Sequence, residues 1–240
     1  MSMLSLAYYY GGRYMYYWDP TYFLVLIGVV LSLIASSYVK SSFNKYAKIR
    51  VMSGMTGAEA AERILQLSGI YDVRVVRVSG HLTDHYNPST KELALSDSVY
   101  HANSISAVSV AAHECGHAVQ HAMGYRPIEI RSALVPIANF GSSASWFFII
   151  AGLIFGIKIL VPIGIVLFSA AVLFQLVTLP VEFNASSRAL QILEGNGMLA
   201  SGEMKGAKRV LRAAAMTYVA AAATAILQLL RLILIARRND

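Results

Sequence analysis

His113-Glu114-Cys115-Gly116-His117 places two histidines and a glutamate in the HExxH spacing. On a helix turning roughly 100° per residue, the two imidazoles fall about 40° apart on one face, one turn from each other, and can grip a single zinc ion. Glu114 is then placed to take a proton from a zinc-bound water, whose pKa the metal brings down to about 7. The outcome is a nucleophile able to attack a peptide carbonyl at neutral pH. Five residues in such a pattern also arise by chance. Here the neighbours Val110-Ala111-Ala112 and Ala118-Val119 are small and uncharged, as a buried site helix requires.

A catalytic zinc needs a third protein ligand and one position left open for water. A histidine six residues beyond His117 would serve, but Met123 stands there. His121 is one turn further down the stripe and fits a polar lining or cap better than a ligand. Glu182, in Leu179-Pro180-Val181-Glu182-Phe183-Asn184-Ala185-Ser186, is the favoured third ligand, the alternative being a carboxylate that caps a helix behind Pro180. Zn2+ is the cofactor these residues imply. Tyr218, Arg188, His81 and His85 all have donors suited to steadying a tetrahedral oxyanion, and Tyr218 is taken as the catalytic partner of Glu114.

What must position these residues is largely apolar. The chain of 240 residues is 56% hydrophobic and 14% charged, so a bilayer has to be considered first. Three stretches free of charge are long enough to cross it: 21–39, 132–157 and 159–181. A candidate fourth, 213–235, is rich in alanine and interrupted by Arg231, which could snorkel. The first span lacks a signal peptide's basic flank and is taken as an uncleaved anchor. Before it, residues 1–20 form a tail whose tyrosine-rich tract suits a membrane interface.

Lys40, Lys45, Lys48 and Arg50 crowd the exit of the first span, and Arg126 and Arg131 precede the second. That asymmetry predicts a multi-pass cell-membrane protein with its N-terminus outside and the catalytic region, 40–131, on the cytoplasmic side. Two crossings separate His117 from Glu182, an even number, so the chain returns to the side that holds the histidines. One span or three would have excluded Glu182.

Within 40–131, Thr56 and Glu59 form a capping box for a helix that runs through Leu67 and stops at Gly69. Val73–Val78 and Leu93–Leu95 carry strand signatures, with a turn-rich segment at Tyr86-Asn87-Pro88-Ser89 between them. The HExxH helix spans 104–123, with Ser104 as its cap and Gly124 past its end. Residues 182–212 are assigned to a third-ligand helix and a following helix. The expected fold is a mainly α integral membrane protein of three to four transmembrane helices, with a zincin-like α+β catalytic domain bearing a small β element. No domain boundary splits it. Cys115 is the only cysteine, which excludes an intrachain disulfide. The net charge of +7 is dispersed, without a nucleic-acid motif, and argues against a nucleic-acid partner.

From about Asp19 to Leu234 the chain resembles the YugP-like neutral zinc metallopeptidases of bacterial membranes. The similar stretches are Asp19-Pro20-Thr21-Tyr22, Ser79-Gly80-His81-Leu82-Thr83-Asp84-His85-Tyr86, the HExxH helix, Arg131-Ser132-Ala133-Leu134-Val135-Pro136, and Leu179 through Leu190. The order of helix motif, two spans and glutamate is also similar to the HtpX and CaaX prenyl protease group of gluzincins, which implies the ligand role for Glu182. Those gluzincins usually have an aspartate four residues after the glutamate, where this chain has Ser186. Support for the ligands must then come from Ser186, Asn184 or another group. The resemblance also gives His81, Asp84 and His85 either substrate contact or a role in a hydrogen-bonded turn.

The function expected is a zinc-dependent metalloendopeptidase acting on membrane proteins or membrane-proximal peptides. The alternatives are an intramembrane site-2-type protease and a non-proteolytic membrane scaffold with a vestigial zinc site. Partners beyond substrate and bilayer, whether membrane proteins or a second copy of the chain, are left open.

Overall fold

A computed structural model describes residues 6–10, 13–17 and 19–238, with side chains over 19–237. In chain order, β1 (Leu6–Tyr10) and β2 (Arg13–Tyr17) pair as an antiparallel hairpin. The side chains behind the interface reading of this tail lie outside the described residues. There follow α1 (Tyr22–Ala47), α2 (Gly57–Leu67), β3 (Arg74–Val78), β4 (His85–Asn87), β5 (Glu92–Ser96), α3 (Asp97–Tyr100), α4 (Ile105–Ala122), α5 (Arg126–Phe155), α6 (Leu160–Gly195) and α7 (Ser201–Arg238).

Local chemistry sets the helix ends. Thr56 and Glu59 close the capping box at α2, Thr56 Oγ1 accepting from Glu59 N at 3.2 Å and Glu59 Oε2 from Thr56 N at 2.8 Å. Ser104 Oγ accepts from Ala107 N at the start of α4. The sheet is ordered β3-β5-β4, with β3 parallel and β4 antiparallel to β5. β4 falls on the segment taken from sequence as a turn. It has three residues, too few to show an alternation.

Among the described residues, four helices are long and apolar enough to cross a membrane: α1, α5, α6 and α7. The candidate fourth span lies inside α7, and α4 is not among the four. Large apolar side chains such as Phe23, Leu33, Phe140, Phe147 and Val166 point outward from them, as a lipid-facing surface would. Small residues let the spans approach: a Cβ on Gly141 would stand 2.7 Å from the Leu167 carbonyl oxygen, and Thr224 Oγ1 donates to Gly28 O across α1 and α7. At one end of that pair Arg231 lies 4.4 Å over the Tyr22 ring and 3.9 Å from Asp19. At the other Arg209 Nη1 donates to Tyr46 Oη. α1 and α7 are therefore antiparallel.

At that second end the helices gather with α2, α4 and the sheet into a core. Ile64, Leu93, Leu95, Val99, Leu193 and Leu211 are fully buried there, each worth about 1.5–3 kcal/mol of transfer free energy. Ser106 Oγ, on α4, donates to Phe43 O, and the Glu203 carboxylate accepts from Met52 N and Ala200 N, tying α7 to the loop after α1. The boundary placed after Val181 falls inside α6, which continues through Pro180 and carries Glu182 on the same helix as the third span.

Candidate metal centre

α4 brings His113, Glu114 and His117 to the centre of this core because its own residues are small. Ala107, Ala111, Ala112 and Ala118 are buried against neighbouring elements. At Gly116 a Cβ would stand 2.5 Å from the Ala185 carbonyl oxygen, so the missing side chain lets α4 and α6 touch backbone to backbone at the level of the histidines. Glu182 is one turn before Ala185 on α6. The contact therefore sets its carboxylate opposite the imidazoles.

His113 Nε2 and His117 Nε2 lie 3.3 Å and 3.5 Å from the same oxygen, Oε2 of Glu182. The three candidate ligand atoms fall within 4.8 Å of one another. Glu182 is 2% exposed, and its Oε2 has no hydrogen-bond partner among the described residues. A buried carboxylate oxygen left unpaired is costly, and two neutral imidazoles turning their lone pairs toward it do not relieve the cost. A divalent cation among the three atoms satisfies all of them together, so the residues fit a metal.

The outer ring nitrogens are held. Gln120 Nε2 donates to Val181 O at 2.8 Å and to Asn184 Oδ1 at 3.0 Å, and a carbonyl can only accept. The Gln120 amide is thereby oriented, and its Oε1, 3.0 Å from His117 Nδ1, must accept from that nitrogen. With the proton on Nδ1, Nε2 keeps the lone pair a ligand needs. His113 Nδ1 is 3.1 Å from Ser186 Oγ, at the position where the gluzincin pattern would have had an aspartate. Ser186 was a candidate for this support from sequence; Gln120 was not singled out, although it stands three residues after His117 on the same helix face.

Glu114 is buried beside the group. Tyr218, on α7, is near enough to Glu182 and Glu114 for both carboxylates to act on its hydroxyl. Arg131, considered from sequence as a basic flank and as the start of a family-like stretch, has Nη2 4.0 Å from Glu182 Oε1. Arg188 instead donates to Asn184 Oδ1 and Met123 Sδ. His121 is outside the three-residue group and packs against Tyr86, ring centroids 5.7 Å apart. Burial, with His117, Lys91 and Arg131 nearby, holds its imidazole below the ordinary histidine range. Asp84 accepts from Ser96 N and Oγ and His81 Nδ1 meets Ser98 Oγ, which ties this segment to the β5–α3 junction, while His85 Nδ1 meets Thr83 O.

The profile of a family described as "Putative neutral zinc metallopeptidase" matches residues 21–237. The chain belongs to that family. It is also 49% identical over 213 residues to "Putative membrane protease YugP" of Bacillus subtilis (strain 168), a match covering 89% of this chain and 95% of the relative. No solved structure matches it. A zinc peptidase family name and a buried two-histidine, one-glutamate group agree on the kind of ion the centre would take.

Proposed function

We propose that this chain is a zinc-dependent membrane endopeptidase whose metal is held by His113, His117 and Glu182 and whose general base is Glu114. The family and the relative's name support a protease role at a membrane. The observation that carries the site assignment is the convergence of two Nε2 atoms on an unpartnered Glu182 Oε2, with the outer nitrogens tied to Gln120 and Ser186.

Zinc bound there would polarise a peptide carbonyl and acidify a water. Glu114 accepts the proton of the attacking water and passes it to the departing amine. Tyr218, against Glu182, supplies a hydroxyl donor on the same side of the site. β4 is an edge strand beside α4, and its free side suits an extended peptide. α4 with this small sheet gives the zincin-like reading of the catalytic region. Lys45, Lys48, Arg50, Arg126 and Arg131 lie toward the site end of the spans, which supports a cytoplasmic site acting on membrane proteins or membrane-proximal peptides.

Glu114→Gln tests this directly, since the amide keeps the volume of the carboxylate and cannot accept the proton. Zinc content should remain at the wild-type level while turnover of a peptide substrate falls about a hundredfold or more. Wild-type turnover in the zinc-loaded variant would sink the mechanism, and full zinc content in Glu182→Ala would sink the ligand set.

A further inference from the structure

Among the described residues, Arg131 is the one lysine or arginine within 4.0 Å of Glu182. It projects from α5 with its guanidinium carbon 5.9 Å from the Phe174 ring centroid and its side chain 32% exposed. Nη2 is 4.0 Å from Glu182 Oε1, beyond hydrogen-bond range, and the buried Nε has no partner. Its charge also reaches Tyr218 and His121.

Such a cation could hold Glu182 in place or serve an anion that comes later. The distance and the idle Nε speak against the first role, because a guanidinium that anchors a carboxylate closes on it with two short bonds. A fixed positive charge beside a dication also weakens the dication's binding. A site kept for metal binding alone would do better without Arg131. The reaction itself creates the matching anion. As the water oxygen bonds to the carbonyl carbon, the π pair moves onto the carbonyl oxygen; Glu114 takes one proton and delivers it to nitrogen as the C–N bond breaks. Arg188, His81 and His85 already have partners in Asn184, Ser98 and Thr83, which leaves Tyr218 as the neutral donor beside this cation.

We infer that Arg131 is a further catalytic residue, its guanidinium donating to the substrate carbonyl oxygen as that oxygen becomes anionic. This rests on the metallopeptidase reading above. The test compares wild type, Arg131→Gln and Arg131→Lys for zinc content, peptide kinetics and binding of a phosphinate peptide, a mimic of the tetrahedral anion. Arg131→Gln should keep its zinc and a KM within about threefold of wild type. Its kcat should fall about a hundredfold or more, and phosphinate affinity by a similar factor. Arg131→Lys, with the charge but not the fork, should recover part of both losses. Zinc lost from both variants would reassign Arg131 to holding Glu182. Unchanged kcat or unchanged phosphinate affinity in Arg131→Gln would remove it from the reacting atoms while leaving the peptidase reading intact. A wild type that takes up no zinc and binds no phosphinate overturns both.

Discussion

Gln120 commits its amide to holding one imidazole: oxygen toward His117 Nδ1, nitrogen toward Val181 O and Asn184 Oδ1. Removing it frees the His117 ring to turn and takes away a tie between α4 and α6. Gln120→Ala should weaken zinc binding about 10- to 100-fold, as loss of a supporting hydrogen bond to a ligand histidine does. Competition with a graded set of chelators on the folded protein measures it, and wild-type affinity would show that His117 needs no such support. The sequence made His113, Glu114 and His117 legible because their spacing alone states a geometry. Counting crossings left Glu182 admissible as the third ligand, and the gluzincin resemblance implied that role. Gln120 and Arg131 were not legible, since their contacts bridge α4 to α6 and α5 to α6 and depend on how those helices are set against each other. No local pattern encodes that setting.

The α4–α6 crossing at Gly116 is the element on which the centre depends. Alanine is the better helix former by about 1 kcal/mol, so Gly116→Ala would stabilise a free α4. In the folded protein the added methyl would meet the Ala185 carbonyl oxygen at 2.5 Å, in backbone that cannot swing aside. The variant should lose about 1–3 kcal/mol of stability and most of its zinc affinity, both read from thermal melts with and without the metal. Gly202→Ala is the control: nothing lies within 4 Å of its would-be Cβ, so it should melt at or above the wild-type temperature. Equal melting of the two variants would refute the close crossing. Helix ends were legible for the same local reason that a cap is local, as Thr56, Glu59 and Ser104 show. The continuity of α6 was not, because Pro180 is a breaker in isolation. Within a long packed helix it costs one backbone hydrogen bond and the helix runs on.

For the molecule as a whole, the four apolar helices and the basic residues at one end make a prediction about sides. A single cysteine introduced near Lys45, with Cys115 buried, should react with an impermeant thiol reagent only after cells are opened. Reaction in intact cells would place the site outside.

His117 and Glu182 are 65 positions apart in the chain, with α5 and the first part of α6 between them. A ribosome adding about 5–20 residues per second finishes α4 several seconds before it reaches α6. During that interval the nascent chain has the proposed base and two candidate ligands but not the third, and α4 lacks the surface of Ala185 on which it rests. On the proposed ligand set, the metal centre is therefore complete only once α6 has been made and has packed against α4.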